Sequence, residues 1–230
     1  MMPLPSAPLA RPRDVLRPVQ HPDLSGVLTH FCYRNRPQPS VPPEIQGMTA
    51  QQRLESIFWQ GKLWGFTTFS GGVPAACFTE ATLNGLNFMI GRRFYRPWGL
   101  VFDRQSIYDA GGGPVWYARP DEHQFLRGLC ESGQVDSRLQ SWLVRLDGSS
   151  DWLEEREWRI PLLTEPYEPA LQLQALGLKA LLVGDSGWSP AYSGLLPQIV
   201  IGVPRWWSNP ADGLLYSLPP LQPPPGVGTC

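Results

Sequence analysis

Residues 151 to 161 read DWLEEREWRIP, and the interpretation of the whole chain depends on this stretch. A strand places successive side chains on opposite faces. One face would carry Glu155, Glu157 and Arg159, and the other would carry Arg156, Trp158 and Ile160. The sequence therefore predicts a strand with two carboxylates and a guanidinium together at its entrance.

This charged face has two interpretations. A carboxylate at a strand entrance can accept hydrogen bonds from a sugar hydroxyl and stabilise positive charge that develops at an anomeric carbon, which is the chemistry of glycosyl transfer. Alternatively, the motif E-R-E-W-R is a solvated edge strand, in which exposed Glu and Arg side chains pair weakly with one another. Spacing alone does not separate the two interpretations.

The composition indicates a folded chain without a strong electrostatic preference. Hydrophobic residues make up 42% of the 230 residues and ten are tryptophan, which is enough for a packed core. The net charge of −1 gives no support to general attachment to nucleic acid or anionic lipid. The four cysteines are far apart and form no C-x-x-C pair, so we expect reduced, buried thiols and neither a zinc ribbon nor a disulfide framework.

The hydropathy pattern and the proline-rich ends suggest the domain organisation. No apolar run approaches the roughly 20 residues of a membrane-spanning helix, and the N-terminus lacks the apolar core of a signal peptide. We therefore expect a soluble, cytoplasmic protein. We predict a proline-rich arm over residues 1–25, one α+β domain over residues 26–203, and an irregular, proline-rich tail over residues 204–230.

Local patterns predict more strands than helices. Runs typical of strands cover residues 26–33, 75–80, 98–103, 114–118, 142–146, 180–184 and 198–203. Helical patterns cover residues 49–61, 81–90, 121–131 and 170–176. In the first helix, Thr49 is the expected N-cap and Gly61 the expected end. The first strand places His30 in its middle, on the face of Leu28 and Cys32, with Arg34 just beyond its end.

The order of several motifs resembles a known family. LTHFCYR, a helix ending in glycine, ACFTEA, GLVFD, GGGPVWY and EREWRIP follow one another along the chain. This series resembles the bacterial abortive-infection proteins of the AbiGi type and, more distantly, the ADP-ribosyltransferases. In that superfamily, E-x-E followed by an apolar residue, a strand and a proline is a recurrent pattern. The resemblance spans roughly residues 28–203 and implies a split, mixed or antiparallel β-sheet core with peripheral helices.

The resemblance implies NAD as a substrate and suggests roles for individual residues. Glu157 would bind the nicotinamide-ribose hydroxyl and stabilise the oxocarbenium-like transition state, while Glu155 would orient the acceptor. His30 would hold the NAD ribose, and Arg34 would lie near the phosphates. The acceptor itself, whether a protein or a nucleic acid, is not specified. A role in an anti-phage or toxin–antitoxin system, with a cognate partner protein, is also implied.

One part of the superfamily pattern is absent in its usual form. The serine-threonine-serine signature of the arginine-modifying branch has only loose substitutes here, namely Thr67, Thr68 and Ser70, or Thr79 in CFTEAT. Thr79 is counted with His30 and Arg34 among the residues expected to bind NAD. The cluster RRFYRP at residues 92–97 either faces phosphates or is a solvated helix end.

Two other functions stay open. A non-catalytic interaction protein of a defence system would keep the scaffold and bind a partner through tryptophans such as Trp206 and Trp207. It predicts structural ion pairs at Glu155 and Glu157, with no pocket beside them. A metal-dependent nuclease would combine the same two acids with Asp103, although no lysine follows at the E-x-K spacing.

The transferase hypothesis makes a different geometric prediction. It requires His30 and Glu157 to meet in one cleft between the two halves of a split sheet.

Overall fold

The computed structural model describes residues 16, 23–34, 40–148, 152–162, 168–190 and 200–222. Within these ranges the chain forms an α+β fold, with one large mixed sheet, two small sheets of two strands each, and peripheral helices. The coarse fold class expected from the sequence is confirmed.

The secondary-structure elements of the described residues are short. The strands are β1 (Val27–Phe31), β2 (Lys62–Trp64), β3 (Ala75–Thr79), β4 (Gly99–Asp103), β5 (Gly113–Pro114), β6 (Trp116–Ala118), β7 (Leu143–Arg145), β8 (Glu157–Pro161), β9 (Ala170–Gln172), β10 (Leu178–Val183), β11 (Arg205–Ser208) and β12 (Leu215–Leu218). The α-helices are α1 (Pro43–Gln46), α2 (Ala50–Gln60), α3 (Leu83–Gly91), α4 (Arg104–Asp109) and α5 (Pro120–Glu131). Turns of 3-10 helix cover Ser137–Trp142, Leu153–Glu155 and Leu173–Ala175.

The large sheet divides between β1 and β3. Its strand order over the described residues is β12-β11-β10-β4-β1-β3-β8-β5, and β10 runs parallel to β11. Strand β1 pairs with β4 along its whole length. Against β3, the described register consists of Thr29 opposite Thr79 and no further pair. The two strands therefore separate beyond this pair, and the sheet is split there.

Helix α2 agrees with the sequence prediction because both of its ends are capped. Thr49 Oγ1 accepts a hydrogen bond from the Gln52 N–H, and Gln52 Oε1 accepts one from the Thr49 N–H, which forms a capping box. Gly61 follows the helix with φ at 62°, a left-handed conformation that glycine adopts without steric penalty. The helix buries Leu54 and Phe58 against the sheet.

Apolar side chains are buried on both faces of the large sheet. On one face, Leu28 of β1 and Trp158 of β8 belong to the main core together with Phe58 of α2. On the other face, Phe31 of β1 packs against a smaller cluster that includes Leu86 of α3. The alternation predicted for the first strand is therefore confirmed, and it gives each face its own covering helix.

The predicted helix at residues 170–176 is wrong. Ala170–Gln172 is strand β9, which pairs with β2, and a 3-10 turn follows it. A partner strand distant in sequence thus provides the hydrogen bonds that a helix would have made locally.

The end of the described chain also differs from expectation. The strand predicted at residues 198–203 is wrong over Val200 to Val203, which form a turn, while residues 198 and 199 lie outside the described residues. The segment after Pro204 was expected to be irregular, but β11 and β12 extend the sheet beyond β10. Trp206 and Trp207 stabilise this extension because they pack against the core clusters on opposite faces.

The remaining predictions concern the ends and the cysteines. Most of the predicted arm, residues 1–15 and 17–22, and residues 223–230 lie outside the described residues. Cys32, Cys77 and Cys130 are free thiols; Cys32 and Cys130 are buried, as expected, whereas Cys77 is only partly buried, and Cys230 is not described. Over the described ranges, no helix combines the length and apolar character needed to cross a bilayer.

Candidate functional site

A cavity of about 370 Å³ lies at the split between β1 and β3. Its wall includes the end of β1 and the residues after it, Trp64 and residues 66–69, β3, Tyr95, and residues just before and within β8. The wall includes all five residues singled out from the sequence, namely His30, Arg34, Thr79, Glu155 and Glu157. The volume is in the range of sites that hold small organic ligands.

The split explains how His30 and Glu157 border the same cavity. Thr29, Thr79 and Glu157 lie opposite one another in a row across three strands, so their side chains share a face. In a continuous sheet His30, the neighbour of Thr29, would point to the other face. Because β1 and β3 separate beyond Thr79, residues of both faces border the opening between them. The strands of His30 and Glu157 lie two spacings apart, roughly 10 Å.

His30 reaches across this opening. Its Nδ1 lies 2.8 Å from the carbonyl oxygen of Cys77, and because a carbonyl only accepts hydrogen bonds, Nδ1 carries the proton. The ring of Phe78 packs edge-on against the imidazole, with 5.9 Å between ring centroids. Burial lowers the pKa of His30 below its ordinary value. The imidazole is therefore neutral at pH 7, and its Nε2 can accept a hydrogen bond from a hydroxyl group.

A buried guanidinium fixes the carboxylate of Glu157. Arg159 Nε lies 2.8 Å from Oε1 of Glu157, and Nη2 lies 3.0 Å from Oε2, so the pair is bidentate. The two side chains share a face because they are two residues apart on β8. The Arg159 side chain is 1% exposed, while Glu157 borders the cavity. The carboxylate therefore has a defined orientation in the cavity wall.

The charged stretch departs from its predicted geometry before Glu157. Strand β8 begins at Glu157, whereas Glu155 ends a 3-10 turn, and Arg156 between them has φ at 42°. Arg156 is exposed and does not share the buried face of Trp158 and Ile160. The edge-strand interpretation is also wrong, because β8 lies between β3 and β5 in the sheet.

Glu155 reaches the cavity wall from this turn and pairs there with Arg34. Arg34 Nη2 donates a hydrogen bond of 2.6 Å to Glu155 Oε1, and three rings surround the guanidinium, with Trp152, Tyr95 and Phe69 centroids at 4.7, 5.5 and 5.8 Å from Cζ. Burial raises the pKa of Glu155 above its ordinary value, and the attraction of Arg34 opposes this only in part. The hydroxyl of Tyr95 also hydrogen-bonds to this carboxylate.

Thr79 holds the backbone of the same turn. Its hydroxyl donates to the carbonyl oxygen of Glu155 and accepts a hydrogen bond of 3.2 Å from the Ala81 N–H. Thr79 is buried and lies opposite Glu157 in the β3–β8 register. Its hydroxyl thus positions the turn that carries Glu155.

Sequence reasoning missed part of the cavity wall. In the RRFYRP cluster, Tyr95 belongs to the wall, whereas Arg92, Arg93 and Arg96 are exposed and outside it. The solvated-end interpretation fits these arginines better. Phe69 also lines the cavity, and only its position before the Ser-Gly-Gly turn distinguishes it in the sequence.

The nuclease hypothesis gains no support from this geometry. In the part of the chain that the structure describes, no three His, Cys, Asp or Glu side chains come together as metal ligands. Asp103 caps α4 by accepting a hydrogen bond of 3.0 Å from the Ser106 N–H, and it does not belong to the cavity wall that contains Glu155 and Glu157.

Comparison with protein-family models, with curated proteins and with solved structures found no match for this chain. The function proposed below rests on the sequence motifs and the geometry of the cavity.

Proposed function

We propose that this chain is an NAD-dependent ADP-ribosyltransferase-like enzyme, which cleaves the nicotinamide N-glycosidic bond of NAD and transfers ADP-ribose to an acceptor. The main support is that five residues suggested by the resemblance, from three separate parts of the sequence, line one cavity. The neighbouring strands β8, β3 and β1 carry Glu157, Thr79 and His30 in that order, which adds to this support. The resemblance extends the proposal to an anti-phage or toxin–antitoxin setting.

The cavity chemistry suits cleavage of the bond between the ribose and nicotinamide. The nicotinamide ring is cationic in NAD and departs as a neutral molecule, so the reaction needs no acid, but positive charge develops on the ribose carbon. In the proposed reaction Glu157 stabilises this charge and accepts a hydrogen bond from a ribose hydroxyl. Nε2 of the neutral His30 accepts a hydrogen bond from a second ribose hydroxyl, and the two contacts orient the sugar.

To bind the phosphates of NAD, Arg34 must first separate from Glu155. The arginines of the described cavity wall, Arg34 and Arg159, are paired with Glu155 and Glu157, so neither offers uncompensated positive charge. In the proposal, Arg34 exchanges Glu155 for a phosphate oxygen, which its fork-shaped guanidinium binds well. The exchange frees the Glu155 carboxylate to orient the acceptor.

A second candidate is a non-catalytic interaction protein, which the two ion pairs favour. This hypothesis expected Glu155 and Glu157 to form structural ion pairs, and both do. It also expected no pocket beside them, yet the cavity opens there. Trp206 and Trp207 are partly buried against the core clusters, so they form a smaller binding surface than this hypothesis requires.

Incubation with NAD that carries a label in its adenosine part separates the two candidates. We expect the parent protein to release nicotinamide and to transfer or release labelled ADP-ribose. Glu157→Gln should lower the rate about 10²- to 10³-fold, the usual effect of removing one group that stabilises transition-state charge. Glu131→Gln is the matched control, because Glu131 is also paired with an arginine, Arg127 at 2.6 Å, but on the exposed surface of α5.

Folding must be measured in parallel, because removal of one partner from a buried ion pair is itself destabilising. The free energy of unfolding of each variant, from chemical denaturation, shows whether Glu157→Gln is folded under assay conditions. No nicotinamide release by the parent, or equal rates for the parent and a folded Glu157→Gln, would overturn the enzymatic proposal in favour of the interaction protein.

A further inference from the structure

Arg159 contacts more than the carboxylate of Glu157. Its Nη1 donates hydrogen bonds to the carbonyl oxygen of Ser141 at 2.5 Å and to Ser70 Oγ at 3.0 Å. The Nε and Nη2 atoms are both occupied by Glu157. This buried guanidinium therefore joins β8 to two segments that are distant in sequence.

One of these segments is the aromatic loop, which we define as residues 66–72. Phe66, Thr67, Thr68 and Phe69 of this loop line the cavity. The Phe69 side chain is 71% exposed, and its ring centroid lies 5.8 Å from the guanidinium carbon of Arg34. The loop thus forms a wall of the cavity beside the other charged pair.

The other segment, around the 3-10 turn Ser137–Trp142, holds the aromatic loop in place. The Ser70 hydroxyl donates to the carbonyl oxygen of Leu143, and Gln140 Nε2 donates a hydrogen bond of 2.8 Å to the Ser70 carbonyl oxygen. Gly72 packs so closely here that an added Cβ atom would lie 2.6 Å from Ser141 Oγ. The loop, the turn and Arg159 therefore form one connected buried polar network.

We propose that Arg159 is a positioning residue for the reaction proposed above. Its Nε and Nη2 set the direction of the Glu157 carboxylate, and its Nη1 fixes the aromatic loop relative to that carboxylate through Ser70. This inference rests on the proposed function for its reaction, although the link from Arg159 to the loop exists without it. A planar guanidinium makes all these contacts at once, which the point charge of a lysine cannot do.

Arg159→Lys tests the two parallel hydrogen bonds from Arg159 to Glu157, because it keeps the positive charge beside Glu157 but loses the bidentate geometry. We expect kcat for NAD cleavage to fall about 10²-fold, the effect of a misplacement near 1 Å, with a much smaller change in KM. Amide hydrogen exchange across residues 66–72 should become faster. The matched control is Arg127→Lys, which alters an exposed arginine–glutamate pair on α5.

Ser70→Ala tests the other half of the network. It leaves the Arg159–Glu157 pair intact and removes both hydrogen bonds of the Ser70 hydroxyl, the one from Arg159 Nη1 and the one to the Leu143 carbonyl oxygen. We expect faster hydrogen exchange in residues 66–72, and a rise in KM that exceeds the fall in kcat because the carboxylate itself stays in position.

The outcomes distinguish this inference from the proposed function. A parent protein that cleaves no NAD refutes the proposed function, while the hydrogen-exchange comparison still tests the link between Arg159 and the loop. Unchanged exchange in Arg159→Lys and Ser70→Ala, or a kcat for Arg159→Lys equal to that for Arg127→Lys, overturns the positioning role. If Arg159→Lys does not fold, the exchange and kinetics of Ser70→Ala decide alone.

Discussion

The Nδ1 atom of His30 lies 2.8 Å from the carbonyl oxygen of Cys77, across the opening between β1 and β3. In a closed antiparallel ladder, backbone N–H groups of the neighbouring strand bond to such carbonyls. Here a side chain takes this place, because the two strands share no register pair beyond Thr29 and Thr79 within the described residues. His30 thus donates the hydrogen bond that the Cys77 carbonyl oxygen would otherwise receive from a neighbouring strand, and it also borders the cavity.

This environment makes stability depend on pH through His30. The folded pKa of His30 is below the ordinary value of 6.5, so below about pH 6.5 the unfolded chain binds more protons and the free energy of unfolding falls with falling pH. Above that pH neither state is protonated, and the effect disappears. His30→Gln removes this titration and keeps a donor for Cys77, so its stability should depend less on pH between 7 and 5.

Chemical denaturation at a series of pH values measures this difference. His123→Gln measures the corresponding contribution of the other described histidine, because His123 lies on α5 outside the cavity and burial also lowers its pKa. A His30→Gln profile as steep as that of the parent would contradict the assignment of a neutral, partly buried imidazole.

Removal of the Thr79 hydroxyl should destabilise the turn that carries Glu155. Thr79→Val leaves the Glu155 carbonyl oxygen and the Ala81 N–H without their buried partner, which typically costs about 1–3 kcal/mol. Thr79→Ser keeps the hydroxyl and should retain most of the stability. Equal unfolding free energies for the Val variant and the parent, from urea titration, would show that these hydrogen bonds contribute nothing.

Phe69 should contribute to ligand affinity and not to folding. Its ring is 71% exposed in the cavity wall, where it can stack on a flat ring of the ligand, and such stacking contributes about 1–3 kcal/mol. For Phe69→Ala we expect the Kd for ADP-ribose, measured by calorimetry, to rise about tenfold or more. Phe125→Ala, which removes a ring that is 66% exposed on α5, should leave the Kd unchanged. Equal affinity of both variants would argue against stacking at Phe69.

Gly72→Ala should destabilise the protein more than Gly133→Ala. Both glycines have left-handed backbone conformations, with φ at 76° and 71°. An alanine in this conformation costs about 1–2 kcal/mol, so both substitutions lose this amount of stability. At Gly72 the new Cβ would also lie 2.9 Å from the backbone nitrogen of Ser141, whereas nothing lies within 4 Å at Gly133. Thermal unfolding of the two variants measures the additional cost, and equal melting temperatures would mean that the aromatic loop shifts without penalty.

Local signals made some elements predictable from the sequence. Both ends of α2 followed from Thr49 and Gly61, because capping depends on residues within one turn of the helix. Strands β11 and β12 were missed because the prolines that flank them suggested irregular structure, and the pairing of β11 with β10 is a contact between distant segments.

The site was predictable only in part. That Glu157 and Arg159 share a face followed from the strand period. The position of Glu155 did not, because Arg156 adopts a left-handed conformation that its residue type does not signal. The meeting of His30 and Glu157 depends on the split between β1 and β3, and no local pattern encodes it. It was expected from the resemblance alone.

The enclosure of Arg34 by three rings and Glu155 gives this acid a second effect on the ligand. A guanidinium keeps its charge at every physiological pH, so Glu155 acts as a built-in counter-ion that competes with any anion for Arg34. Loss of that counter-ion would leave a permanent cation in the cavity and strengthen the retention of pyrophosphate-containing molecules, including the product. In the proposed reaction, the same carboxylate would therefore favour release of a product that carries the pyrophosphate.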